Sequence, residues 1–148
     1  MEEVFDKTSW KGLPVAQNIN WLAVLAAALS TFVLGGIWYS PVLFGRAWMR
    51  ENNLSDADLA QGNMPKIFGL SFVFSLIMAA NLAAFLADPK TNTVWGATAG
   101  LLAGLGWVTL GIAIITLFER RSWRYVAING GYMTVAFVLM GAILGAWR

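Results

Sequence analysis

The sequence predicts an all-α integral membrane protein with four transmembrane helices and short interfacial helices in the loop between spans one and two. Three observations carry that prediction. The 148 residues are 58% hydrophobic and only 12% charged, 18 residues in all, where a soluble domain of this length would carry roughly 37. Four apolar stretches are each long enough to cross a hydrocarbon core, which takes about 20 helical residues. Every charged residue lies outside those stretches.

The spans are read as 19–39, 67–87, 94–118 and 126–147, a four-span membrane domain over 19–147 preceded by an extramembrane segment over 1–18. Each must satisfy its backbone hydrogen bonds internally, because lipid offers none, so each is a helix. Membrane strands would alternate polar and apolar residues, and these stretches do not. The first span is expected to be retained. Glu2, Glu3 and Asp6 stand beside Lys7 and Lys11, so no clean positive segment leads it, and no small-residue cleavage pattern follows. Trp21, Trp38, Trp95, Trp123 and Trp147 fall at or beside span ends, the headgroup level that indoles prefer. Trp107 is the exception, near the middle of span three.

The connection at 40–66 is the one long loop. Ser40 and Pro41 are read as N-cap and first residue of an interfacial helix over 41–51, or else Pro41 kinks a continuing span one. Ser55 with Asp58 resembles a capping box and Gly62 a stop, which predicts a second short helix over 56–61. The loops at 40–66 and 119–125 hold Arg46, Arg50, Lys66, Arg120, Arg121 and Arg124, against Lys7, Lys11, Lys90 and Arg148 on the other side. That bias predicts that both loops are cytoplasmic and both termini outside. A net charge of +2 with no long basic run points to lipid, not nucleic acid. Arg46, Arg120, Arg121 and Arg124 are the candidate anionic-lipid contacts. Spans one and three also echo each other, each ending in Leu-Phe, a basic residue and Trp (Leu43, Phe44, Arg46, Trp48; Leu117, Phe118, Arg120, Trp123). The echo suggests a two-plus-two duplication.

Small residues recur in spans three and four. Gly96, Gly100, Gly104, Gly141 and Gly145 are candidate helix-packing positions, since close backbone approach drives association in lipid. They serve either packing within one bundle or an oligomer interface. Asn81, Asn129 and Tyr132 are expected to face the bundle interior, because an unpartnered amide facing lipid costs more than a contact returns. With Trp107 they form the candidate ligand or polar cluster. The alternative is a polar clasp between helices.

No span holds Asp, Glu, Lys, Arg or His, which argues against an ion-coupled carrier. The chain has no Cys and no His, so no disulfide, thiolate or His–Cys metal site is available. No cofactor and no catalytic residues are expected, and the chain is read as not an enzyme. The expected role is a self-associating, non-catalytic membrane protein holding lipid or a small apolar ligand among its helices. A passive channel or uncoupled small-solute exporter, and an accessory subunit of a larger complex, are the alternatives.

The string Gly36-Ile37-Trp38-Tyr39-Ser40-Pro41, followed by Leu43-Phe44-Gly45 and Trp48, and the residues Asn129, Tyr132 and 140–144 of span four, resemble the bacterial membrane family catalogued as domain of unknown function 1761. The resemblance covers about residues 18–147. It implies a small multi-span protein of a bacterial inner membrane and brings no catalytic residues with it.

Overall fold

The computed structural model describes residues 19–147. Among these residues every regular element is a helix, with no strand. Span one is α1 (Trp21–Trp38), α2 (Gly45–Glu51) and α3 (Asp56–Ala60) fill the long loop, and span two is α4 (Met64–Phe85). Span three comprises α5 (Thr93–Ala103), a π-helical turn (Gly104–Thr109) and α6 (Leu110–Phe118), and span four is α7 (Trp123–Ala146). All four spans are long and apolar enough to cross a membrane.

Capping side chains set the span starts. Asn20, Asn63, Asn92 and Ser122 each accept backbone N–H groups of the helix that follows, which satisfies donors a helix start leaves open. These caps move span two back to Met64 and span four back to Trp123, three residues earlier than hydropathy alone placed them. The interfacial helix does not begin at Pro41. Residues 39–44 form tight turns, with Ser40 donating back to the Ile37 carbonyl, and α2 starts at Gly45. Gly45 is required there: its N–H donates to the Ser40 carbonyl at 2.9 Å, and a Cβ would strike the backbone at Tyr39 and Ser40. The second short helix holds as expected. Ser55 and Asp58 make a reciprocal capping box, and the Ser55 hydroxyl and amide hold the exposed Asp58 carboxyl below its ordinary pKa. The cap is therefore intact at neutral pH and is lost as pH falls through that lowered value.

Two helix ends close through a residue in the left-handed region, Asn53 (φ 53°) and Arg120 (φ 55°). After α6 the Arg120 N–H donates to the Leu117 carbonyl and the Arg121 N–H to the Thr116 carbonyl, the pattern that glycine normally serves. Asparagine tolerates the conformation, whereas arginine meets a Cβ penalty. Arg120→Gly is expected to stabilise the protein by about 1 kcal/mol, with Asn53→Gly closer to neutral. Unfolding by SDS titration in mixed micelles reads both.

Span four is the centre of the bundle. It packs against spans one and three, while span two leans on span one and touches span four only lightly. The core between spans one, two and four is built mainly from alanines (Ala23, Ala27, Ala79, Ala83) closed by Leu86, Met140 and Leu144. Small side chains bring the backbones close, which maximises dispersion contact where no hydrophobic drive operates.

The glycines of spans three and four meet each other inside this one chain. A Cβ on Gly96 would collide with the Gly141 carbonyl, and one on Gly141 with the Gly96 carbonyl. Gly100 lies against the Phe137 carbonyl, Gly145 against Asn92, and Gly104 within 2.9 Å of Phe137 Cβ and Thr134 Cα of a Cβ it does not carry. The stripe is thus an intramolecular seam, and these glycines are not available to an oligomer interface. The seam explains the π turn. Steps of four carry Gly96, Gly100 and Gly104 down one face, and a regular helix would next present Val108. One extra residue in the turn presents Thr109 instead, whose hydroxyl lies 2.8 Å from both the Gly130 carbonyl and the Thr134 hydroxyl. Val108, half-buried against the core, lies beside the seam and contributes to the lining of a cleft.

Candidate functional site

The four residues of the expected polar cluster divide into two pairs at two places. Asn129 and Tyr132 form a clasp between spans one and four. Asn81 and Trp107 line a cleft between spans two and three.

In the clasp, the Tyr39 hydroxyl donates to Asn129 Oδ1 at 3.1 Å, and the Asn129 amide donates to the Tyr125 carbonyl at 3.0 Å. Trp38 Nε1 donates to the Ile128 carbonyl at 3.0 Å, and the Tyr132 hydroxyl to the Thr31 carbonyl at 3.1 Å. The rings pack on one another: Tyr39 lies 5.2 Å from Tyr132 and 5.7 Å from Trp48, and Trp38 lies 4.8 Å from Phe44, centroid to centroid. Gly131 makes room for Trp38, whose ring comes within 3.1 Å of where a Cβ would stand, and Tyr132 lies in ordinary contact beside Gly35. Each amide and hydroxyl here has a partner, so the group closes as a clasp between the two spans. Tyr39 was not foreseen as its centre. The signal was present in the spacing, since Asn129 and Tyr132 share a helix face and Trp38-Tyr39 ends the neighbouring span.

Beyond the clasp, at the end of the bundle that carries the long loop, Ser122 donates to Glu51, and Arg121 reaches Asn52 Oδ1 at 3.2 Å. Arg121 also pairs with Glu119 at 3.0 Å and lies over the Tyr125 ring at 4.6 Å. Of the four candidate lipid contacts it is thus engaged within the protein. Arg46, Arg120 and Arg124 are exposed and have no ion pair among the described residues.

The cleft has a volume of about 690 Å³, within the range of roughly 300–1,000 Å³ typical of small-molecule sites. Span two contributes Met78, Asn81, Leu82 and Phe85, one side of span three between Trp95 and Val108 faces them, and Phe137 of span four is the floor. These positions occupy only the half of the membrane nearest the connection at 86–92. The cleft opens sideways, towards lipid: Trp107 is 77% exposed, and Phe85 and Leu102 are also exposed. It exists because spans two and three barely meet. Asn81 therefore does not face the bundle interior. The core-facing side of its helix is taken by Ala79, Leu82 and Ala83, and the exposed Asn81 side chain lines the opening. Neither the Asn81 amide nor the Trp107 indole N–H has a hydrogen-bond partner among the described residues. The residues that line the cleft include no ionisable side chain. Among the described residues no group of His, Cys, Asp and Glu could hold a metal ion.

The chain belongs to the family described as Protein of unknown function (DUF1761), whose model matches residues 22–145. The match takes in all four spans, the turn at 39–45, the clasp and the cleft. No curated protein matches the chain, and no solved structure does.

Proposed function

We propose that this member of the family is a non-catalytic protein of a bacterial inner membrane that holds one apolar ligand in the cleft between spans two and three. The cleft itself carries the proposal: an apolar, laterally open space of about 690 Å³ at membrane depth, entered from the bilayer without crossing water. A space of this size is not left empty in lipid, because its lining would forfeit dispersion contacts that any chain entering it restores. We further propose, from the distribution of Lys and Arg, that the loops at 40–66 and 119–125 face the cytoplasm. The cleft then lies in the outer leaflet.

Self-association draws no support from the glycines, which the seam consumes. A channel draws none from the polar residues, since Thr31 with Ser75, Thr109 with Thr134, and Tyr39 with Asn129 are paired across helices.

Photolabelling tests the proposal. The protein is reconstituted in vesicles containing a phospholipid with a diazirine in its acyl chain, and adducts are mapped by peptide mass spectrometry. Adducts are expected to concentrate on residues 78–85 and 99–108. Labelling spread evenly over outward-facing positions such as Val33, Phe74 and Ile114 would contradict it.

A further inference from the structure

We infer that the ligand is a neutral, flat, carbonyl-bearing ring on an apolar tail, a molecule of the quinone type, with the Asn81 amide donating to a ring carbonyl. The inference rests on the cleft as a ligand site and goes on to name what enters it. Four side chains of the lining are aromatic: Phe85, Trp95, Trp107 and Phe137. Phe85 stands four residues beyond Asn81, hence on the same helix face one turn nearer the headgroups. Across the gap, Ala99, Ala103 and Gly106 recur at helical spacing and present almost no side chain. One wall thus carries an amide beside an aromatic ring, and the facing wall sets these small residues between Trp95, Leu102 and Trp107.

Three kinds of occupant fit less well. A plain hydrocarbon chain leaves the Asn81 amide unpaired in lipid, where an unmade hydrogen bond is costly. A fatty-acid carboxylate would lie in a site lined by no Lys or Arg, and an uncompensated anion there is costlier still. A glycerolipid carries its ester carbonyls at the headgroup boundary, whereas Asn81 sits four residues, ~6 Å along the helix, inside the end of α4 at Phe85. A ring carbonyl on a freely diffusing apolar molecule reaches that depth without dragging a headgroup after it. Ring faces also stack on aromatic side chains in offset or edge-on geometry.

The test uses the full chain in vesicles and a benzoquinone with a decyl tail bearing a terminal diazirine, beside the diazirine phospholipid. The quinone is expected to label the cleft segments in preference to the outward-facing positions, and Asn81→Leu to reduce that labelling about tenfold. The phospholipid's labelling should change little in the same variant, because leucine keeps the branched outline of the side chain and removes its hydrogen bonds. Even labelling by the quinone, or equal labelling of the wild type and Asn81→Leu, overturns the inference. Concentration of the phospholipid alone in the cleft removes the quinone and leaves the cleft as a lipid site. Concentration of neither removes both.

Discussion

Gly96→Ala is expected to destabilise the bundle by about 1–3 kcal/mol, the range for forcing extra volume into a closed contact, and Gly141→Ala by a similar amount. In each case the obstacle is the partner's carbonyl oxygen, a backbone atom that cannot rotate away, so spans three and four must part along their length. The two substitutions remove the same approach. Once either has separated the helices the second costs less, and the double variant should fall well short of the sum. Gly106 and Gly111 supply the control, since nothing lies within 4 Å of a Cβ added at either. Alanine there should be neutral or stabilise by up to about 1 kcal/mol through helix propensity. SDS-titration unfolding of the six proteins, wild type included, reads the whole set. Equal losses at Gly96 and Gly106 would mean that the seam does not lie where the glycines meet.

Trp38→Ala is the second large effect. It removes a half-buried indole, its bond to the Ile128 carbonyl and its contacts with Phe44, Tyr132 and Gly131. The expected loss is about 2–3 kcal/mol, below the range for a fully buried tryptophan. Tyr39→Phe keeps the ring among Trp48 and Tyr132 and deletes only the bond to Asn129. It should cost about 0.5–1 kcal/mol, the scale of interhelical hydrogen bonds in membranes. The same unfolding titration separates the two. A Tyr39→Phe loss as large as that of Trp38→Ala would make the polar network, and not ring packing, the source of the clasp's stability.

Much of this architecture is legible in the residues, because a bilayer imposes hydropathy more strictly than water does. Four apolar stretches without charge become four helices, and the capping box at Ser55 and Asp58 closes as its spacing implies. The span starts are less so: Asn63 and Ser122 are recognisable caps, but apolarity begins three residues after each helix does. Pro41 invites a helix start that Gly45 overrides, since only the turn's close approach shows what that glycine is for.

The site was legible in parts. The apolar pattern of one helix tells which of its residues share a face, but not which helix lies opposite. Asn81 and Asn129 therefore look alike in sequence. One finds a tyrosine and the other an opening, because span two leans on span one and stands clear of span three. Nor does hydropathy distinguish a wall of a cleft from a surface bathed in lipid, since both are apolar. The π turn leaves a fainter trace, five residues instead of four between Gly104 and the threonine that continues its face.

The central claim is that spans two and three stand apart and that an apolar molecule fills the space between them. Crystals grown in a lipidic mesophase test it most directly. The expected result is elongated non-protein density in the cleft, bounded by Phe85, Trp95 and Trp107, with one end beside the Asn81 amide. Spans two and three packed side by side, with Asn81 hydrogen-bonded across the closed gap, would contradict it.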